Sequence, residues 1–172
     1  MALQEQTGQH EAGALDALRA AMIERIGRRT VGNTDSPTAI ADLVFFRREE
    51  PVPPCFCMVE PSIVLVIQGE KQMLVGGEAF PYNIDRFLIT SLDLPANSQI
   101  VTASPDKPCL GLVLKLDLRI MAELIAQGGL PLPTARANDR SVGIGTVTPV
   151  LLESFKRLLD LLDLIRNDGD MQ

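Results

Sequence analysis

The fold is decided by residues 54–116, which read PCFCMVEPSIVLVIQGEKQMLVGGEAFPYNIDRFLITSLDLPANSQIVTASPDKPCLGLVLKL. Short apolar runs, rich in β-branched residues, alternate here with turn residues such as Glu60-Pro61, residues 68–71 and Gly76-Gly77. A glycine pair accepts positive φ and is typical of a tight hairpin. Strands this short and this frequent indicate a sandwich or a small barrel. With one run upstream, eight strands are predicted, over residues 40–46, 55–59, 62–67, 72–75, 80–82, 87–90, 99–103 and 110–116.

Helical patterns flank the strands on both sides. Upstream, Leu15, Leu18, Met22 and Ile26 are spaced by three and four, which predicts an amphipathic helix over residues 13–30. Residues 1–12 are polar and are predicted to form a flexible tail. The arginines at positions 19, 25, 28 and 29 are interleaved with acidic residues, and we interpret them as a solvated helix face.

Two further helices are predicted downstream of the strands. Asp117 is a suitable N-cap for a helix that ends at Gly128. A loop rich in glycine and proline is expected over residues 128–147. Thr148-Pro149 then has the pattern of an N-cap followed by proline in the first turn of a last helix. The expected architecture is therefore a helix, about eight strands and two helices.

Composition narrows the class of protein. The net charge is −6 and the sequence pI about 4.8, which disfavours direct binding to nucleic acid by this chain. No apolar run is long enough for a membrane span, and the first residues lack the pattern of a signal peptide. Three cysteines in a chain of this size predict reduced thiols and a cytoplasmic protein.

Several segments in this order resemble the N-terminal domain of AraC-type bacterial transcription regulators, over about residues 38–165. They are the EPS-apolar-QG-x-K run at 60–71, the Gly-Gly hairpin, the S-x-D-L-P turn at 91–95, and the pieces SQIV and ASPDKP. The resemblance implies a mainly β fold, in which a cupin-like small barrel of the jelly-roll type spans residues 38–116 and binds a small effector. It also implies a helical dimerisation region at 117–168, a homodimer, and DNA binding through a C-terminal helix-turn-helix domain that is absent from this chain.

The residues do not suggest a catalytic or metal site. Metal-binding cupins use two or three histidines, and His10, in the predicted tail, is the only histidine. Nucleophilic catalysis would also need a nearby base. Cys55, Cys57 and Cys109 are therefore interpreted as buried, inert thiols, and we expect no metal, no cofactor and no enzymatic activity.

Polar residues at strand ends are candidates for a ligand pocket, because such pockets are mostly apolar with a few convergent polar groups. The alternative for each is that it satisfies a nearby backbone group. Apolar strand residues could line the lumen or simply pack in the core. The candidate pocket residues are Met58, Glu60, Gln68, Met73, Ser91, Gln99, Leu112 and Leu114.

The last helix carries a ridge of apolar residues spaced four, three, four and three. Such a ridge could cover the barrel or meet its twin in a dimer, and the resemblance favours the dimer. The candidate interface residues are Leu151, Phe155, Leu158, Leu162 and Ile165. The functional prediction is an effector-binding regulatory domain. The alternatives are a purely structural dimerisation module and a solitary cupin enzyme.

Overall fold

The computed structural model of the chain describes residues 2–128 and 141–169, with side chains over 13–128 and 141–165. These ranges contain three helices and ten strands. In chain order they are α1 (Ala2–Arg29), β1 (Asp35–Pro37), β2 (Leu43–Arg48), β3 (Val52–Val59), β4 (Ser62–Gln68), β5 (Glu70–Val75), β6 (Glu78–Asn83), β7 (Arg86–Thr90), β8 (Leu94–Thr102), β9 (Cys109–Lys115), α2 (Leu118–Ala126), β10 (Val142–Thr146) and α3 (Pro149–Gly169).

The eight predicted strands are present as β2 to β9, with shifted ends. Lys71 belongs to β5 and not to a turn, so the predicted turn over 68–71 is corrected. Two further strands were not predicted: β1 lies between the predicted first helix and first strand, and β10 lies in the predicted loop over residues 128–147. Each is short and rich in turn residues, and each becomes a strand only because it pairs with β2 or β7. Residues 129–140 of the predicted loop lie outside the described residues.

All three predicted helices are present, and the first begins earlier than predicted. Asp117 caps α2 by accepting a hydrogen bond from the Arg119 backbone N–H at 2.8 Å. The Thr148 hydroxyl oxygen accepts one from the Leu151 N–H at 3.2 Å, at the start of α3. Residues 2–12 belong to α1, so the predicted tail is wrong for them. Good helix formers such as Ala, Leu, Gln and Glu outweigh the glycine at position 8, which costs about 1 kcal/mol.

The strands form one curled antiparallel sheet in the order β1-β2-β9-β4-β7-β6-β5-β8-β3, and β10 also pairs with β7. Curling brings the inner faces of the strands around a common interior, the lumen. This confirms the expected class, a mainly β, cupin-like fold with an N-terminal helix and two C-terminal helices. In the described part of the chain, none of the helices is long and apolar enough to cross a membrane.

Successive side chains of each strand point to opposite faces of the sheet, and both faces are buried near its centre. On the outer face, α1 and α3 pack on β2, β4 and β9. This outer cluster comprises Met22, Ile26, Leu43, Phe45, Leu65, Ile67, Leu110, Leu112, Val147, Leu152, Phe155, Leu159 and Leu162. The lumen cluster, on the inner face, comprises Phe46, Val64, Val66, Met73, Tyr82, Leu88, Leu94, Ala96, Ile100, Cys109 and Val142.

Ion pairs hold α1 against α3. Arg25 contacts Asp160 at 2.6 Å and Asp163 at 2.7 Å, and Arg29 also pairs with Asp163. Hydrogen bonds from Arg25 and Lys156 lower the pKa of Asp160 because they favour its ionised form. Arg25 and Arg29 are mostly buried within these pairs. The prediction that these arginines form a solvated face is therefore corrected.

Gly111 on β9 allows the backbone of β4 and the Phe46 ring to lie very close to β9. A Cβ at this position would lie 2.2 Å from the Leu65 carbonyl oxygen and 2.5 Å from Cζ of Phe46. Only a hydrogen atom fits in this space, so the glycine lets the Phe46 ring lie flat against β9. The position of that ring matters for the site described next.

Candidate functional site

One row of side chains crosses the lumen face of the sheet near the ends of three strands. Lys71 on β5 is paired directly with Tyr82 on β6 and with Ile100 on β8. Tyr82 and Ile100 belong to the lumen cluster, as does Met73, two residues along β5 from Lys71. Residues two apart on a strand share a face, so Lys71 faces the lumen. A lysine thus stands among the apolar side chains of the interior.

The ammonium of Lys71 lies against aromatic rings. Its Nζ is 4.3 Å from the centroid of the Phe46 ring and 6.0 Å from that of Tyr82. A cation over an aromatic face is attracted by the ring quadrupole. Protein atoms enclose the ammonium although the residue as a whole keeps partial exposure, and this burial lowers the pKa of Lys71 to about 8.

Acidic groups do not compensate this charge. Among the described residues, Lys71 forms no ion pair within 4 Å. Desolvation is the largest influence on its pKa and lowers it; Cys109, Asp35 and Cys57 raise the pKa, and Arg48 lowers it. Arg48 itself is paired with Asp35 at 3.0 Å and donates to backbone carbonyls. The lumen therefore holds one cation that lacks a paired anion.

Tyr82 adds a second unused donor. Its side chain is fully buried, and its hydroxyl has no hydrogen-bond partner among the described residues. Burial raises the pKa of this phenol, so the hydroxyl keeps its proton. A buried hydroxyl that lacks a partner costs about 1–3 kcal/mol, and buried tyrosines usually find one. The site thus offers an O–H donor and an ammonium, with no acceptor from the described residues.

A surface groove of about 740 Å³ lies at the same end of the barrel. We call it the mouth groove, and its lining residues are Gly32, Asn33, Thr34, Arg47, Arg48, Glu49, Glu50, Val52 and Pro105. Val52 also packs against the lumen cluster, and Arg48 is close enough to affect the pKa of Lys71. The mouth groove therefore lies beside the lumen, and Val52 and Arg48 separate it from the lysine.

Of the predicted pocket residues, Met73 is buried in the lumen cluster. Met58 is 61% exposed, on the outer side of the edge strand β3, since Cys57 and Val59 take the inner positions. Gln99 faces outwards and receives a hydrogen bond from Gln72 at 3.4 Å. The structure thus corrects the assignment of Met58 and Gln99 to the pocket, because strand alternation places both side chains outside.

The assignment of Leu112 and Leu114 to the pocket is also corrected. Leu112 belongs to the outer cluster under α1 and α3, and Leu114 packs against that cluster. Residues 111 and 113 take the inner positions of β9, where the side chain of Val113 packs on the lumen cluster.

Three polar candidates lie away from the lumen in local contacts. Gln68 donates to the Pro108 carbonyl at 2.8 Å. Glu60 pairs with Lys115 at 2.5 Å, and exposed Ser91 donates its N–H to the Ser141 carbonyl at 3.0 Å. Of these contacts, that of Gln68 matches the alternative interpretation, in which a strand-end polar side chain satisfies a nearby backbone group. Glu60 instead pairs with a side chain, and Ser91 uses its own backbone N–H.

The thiols are in three different environments. Cys109 is buried in the lumen cluster, and burial raises its pKa. Cys55 is exposed and Cys57 partly exposed, so the prediction of three buried thiols is wrong for these two. The reason is that β3 is an edge strand, paired only with β8. Within the described ranges, His, Cys, Asp and Glu form no group of three suited to a metal ion.

The predicted dimer ridge on α3 is largely intramolecular. Phe155 and Leu162 are buried in the outer cluster, and Leu151 and Leu158 pack against it. The expectation that these four form an interface between copies is corrected, since α3 needs them to cover the barrel. Ile165 is 43% exposed. The exposed apolar residues of α3 are Val150, Leu161, Leu164 and Ile165.

The pattern of the sequence did not single out Lys71 and Tyr82. The signal was present in the spacing of Lys71 and Met73, because a charged residue sharing a strand face with buried apolar residues is unusual. Gly69-Glu70 next to it favoured a turn, and this obscured the start of β5.

A family model described as the AraC-type transcriptional regulator N-terminus matches residues 39–167. This chain belongs to that family. The match spans β2 to β10 and nearly all of α3, and it confirms the resemblance inferred from the sequence motifs. The chain is therefore an AraC-type N-terminal regulatory domain.

One solved structure supports the fold of this AraC-type domain. Apo ToxT K231A from Vibrio cholerae superimposes with a TM-score of 0.51 at 4% identity, covering 73% of this chain and 49% of that one. A second ToxT structure from Vibrio cholerae gives a TM-score of 0.49 at 7% identity, covering 68% and 46%. The chain thus spans about half the length of these structures. No curated protein matches it.

Proposed function

We propose that this regulatory domain binds a small-molecule effector in its lumen and forms a homodimer. The observation that carries the effector proposal is the pair of unpartnered donors, Lys71 and Tyr82, inside an otherwise apolar barrel. In AraC-type regulators a separate C-terminal domain binds DNA. The proposed role is therefore to bias a DNA-binding partner in the cytoplasm, as a regulator and not as an enzyme.

An effector can act only by its difference in affinity between two arrangements of the protein. The outer cluster joins the strands that carry Phe46 and Cys109 to α1 and α3, since Phe45 and Leu110 are its members. A ligand that shifts β2 or β9 from the inside therefore also shifts the surface on which α3 packs. This is the proposed route from lumen to helices.

A thermal-shift screen of metabolites tests effector binding. A ligand at about 100 times its Kd stabilises the native state by about 2.7 kcal/mol, and we expect at least one compound to raise the Tm. Ala96→Leu adds bulk to the lumen cluster and should abolish the shift, whereas Phe56→Leu on the exposed side of β3 should preserve it. A broad library without one stabilising compound would contradict the proposal.

The dimer interface that we propose uses the C-terminal part of the exposed face of α3. Leu161 and Leu164 are 47% and 61% exposed, and Ile165 lies beside them. These three residues take the place of most of the interface residues expected from the sequence. Dimerisation through them would not disturb the residues of α3 that pack on the barrel.

The double variant Leu161→Glu/Leu164→Glu should convert the dimer to a monomer. Burying one such leucine contributes about 1.5–3 kcal/mol, so losing two weakens association by roughly 100-fold or more. Sedimentation velocity would measure the mass. Phe56→Glu, another exposed apolar residue replaced by glutamate, is the matched control and should stay dimeric. A wild-type chain that sediments as a monomer would refute the interface.

A purely structural dimerisation module is the second candidate. It is favoured by the apolar packing of the lumen cluster, in which eleven residues are buried. It predicts that Lys71 and Tyr82 have no ligand, so a single compound whose binding depends on these residues would exclude it.

A further inference from the structure

We infer that the effector carries one carboxylate, which the Lys71 ammonium and the Tyr82 hydroxyl bind together while the rest of the molecule contacts the lumen cluster. This inference rests on the proposed function and names the chemical class of its ligand. It follows from the contacts of two side chains and from the composition of their surroundings.

The first argument is the uncompensated charge of Lys71. Buried lysines normally pair with an acid, because removing a charge from water is costly. Here the ammonium lies against the Phe46 and Tyr82 rings, at 4.3 and 6.0 Å from their centroids, and it forms no ion pair within the described residues. An anion from outside would supply the missing partner in a place where charge attraction is strong.

The second argument is the position of the Tyr82 hydroxyl. Lys71 and Tyr82 are direct partners in the β5–β6 register, so their side chains are neighbours on the lumen face. The hydroxyl is fully buried and has no acceptor among the described residues. A carboxylate has two oxygens and accepts hydrogen bonds from both, so one group could satisfy both donors.

The surroundings favour a monoanion with an apolar body. Arg48, the nearest other cation that affects Lys71, is already paired with Asp35. One ammonium matches one negative charge, whereas a phosphate dianion would need a second free cation. Around the two donors the lumen is built from apolar side chains such as Val66, Met73 and Leu88. These residues cannot hydrogen-bond the many hydroxyls of a sugar.

The affinity of the proposed site for a carboxylate should depend on pH. The ammonium must be protonated to bind an anion, so a pKa of about 8 predicts an affinity about tenfold weaker at pH 9 than at pH 7. The other groups facing Lys71 are Arg48 and Asp35 at the mouth, Tyr82 on β6, Cys57 on β3 and Cys109 on β9. Burial raises the pKa of Cys109, so this thiol keeps its proton over this range and adds no competing negative charge.

Isothermal titration calorimetry at pH 7 tests the inference with two series of monocarboxylates, from acetate to decanoate and from benzoate to naphthoate. Each acid is compared with its primary amide, which has the same shape and no charge. We expect wild-type protein to bind at least one acid, and to bind its amide at least tenfold more weakly. Lys71→Met should reduce the affinity for the acid by at least tenfold, and Tyr82→Phe by about threefold to tenfold.

Lys107→Met is the matched control, since Lys107 is an exposed lysine in the β8–β9 connection, and it should bind like wild type. Circular dichroism would verify that each variant is folded. Equal binding of acid and amide, full affinity in Lys71→Met, binding of none of the acids, or tighter binding of inorganic phosphate would each overturn the inference. Neutral compounds that still stabilise the protein would then leave the proposed function standing, whereas a screen without any binder would remove both.

Discussion

Lys71→Met should raise the free energy of unfolding at pH 7 by up to roughly 3 kcal/mol. Folding moves the Lys71 ammonium into the lumen and lowers its pKa from 10.5 to about 8. Each pKa unit corresponds to about 1.4 kcal/mol of preference against the charged form. Methionine has a similar length and no charge, and it would pack against Phe46 and Met73 without this penalty. Loss of the cation–π contact offsets about 0.5–2 kcal/mol of the gain.

The difference in unfolding free energy between Lys71→Met and wild type should decrease as the pH rises. Between about pH 8 and 10.5 the unfolded chain keeps the Lys71 proton while the folded protein has lost it. The unfolded state then binds more protons, so the stability of wild type rises with pH across this window. Cys109 and Tyr82 act in the opposite direction, since burial raises both of their pKa values. The contribution of Tyr82 is common to both proteins and cancels in the difference. That of Cys109 does not cancel fully, because the Lys71 ammonium lowers the pKa of Cys109. Without this ammonium the pKa of Cys109 rises further, which adds to the decrease of the difference at high pH.

Urea denaturation of both proteins at pH 7, 8, 9 and 9.5 would measure this. The difference in unfolding free energy should be largest at pH 7 and should decrease above pH 8. Lys107→Met removes an exposed lysine and should change the stability by less than about 0.5 kcal/mol. A Lys71→Met protein that is less stable than wild type at pH 7 would show that the ammonium is already compensated. The predicted gain in stability, together with the predicted loss of ligand binding, is typical of a residue kept for function.

Gly111→Ala should destabilise the domain by roughly 3 kcal/mol or more, near the upper end of the cost of overpacking a core. The new methyl group would lie 2.2 Å from the Leu65 carbonyl oxygen, which belongs to the backbone of the neighbouring strand β4 and cannot rotate away. It would also meet the Phe46 ring at 2.5 Å. These clashes can be relieved only if β4 and β9 separate or if the Phe46 ring leaves the lumen.

Thermal or urea denaturation would show the loss directly. Gly27→Ala is the matched control, because a Cβ there meets only Leu110 Cδ1, at 3.8 Å, in ordinary contact. Since Gly27 is in a helix, that change should stabilise the protein by up to about 1 kcal/mol. Gly111→Ala with wild-type stability would mean that β4 and β9 are less tightly apposed than described. Any folded fraction should also bind the proposed carboxylate more weakly, because Phe46 holds the Lys71 ammonium.

The strands and helix caps could be predicted because they depend on local patterns. Apolar runs between Gly and Pro located β2 to β9, and Asp117 and Thr148 cap their own helices. The strands β1 and β10 could not be predicted, since three or five residues rich in Gly, Ser and Pro have little strand preference of their own. Their pairing with β2 and β7 supplies the hydrogen bonds that make them strands.

The sequence pattern could not predict which side of each strand faces the lumen. The run SIVLVI in β4 is apolar at successive positions because the sheet buries Val64 and Val66 in the lumen and Leu65 and Ile67 under the helices. Strands that are buried on both faces lack the alternation that would reveal their inner side. This is why Leu112 and Leu114 were assigned to the pocket.

By itself, then, the order of short apolar runs, turns and capped helices determined the fold class, and its motifs determined the family. The tertiary structure decided which residues share the interior, because curling of the sheet and docking of α1 and α3 assign each strand face to lumen or helix. It also made Lys71 and Tyr82 neighbours across β5 and β6. Pairing between strands depends on register, and burial depends on what covers each face, so neither property belongs to a single segment of the chain.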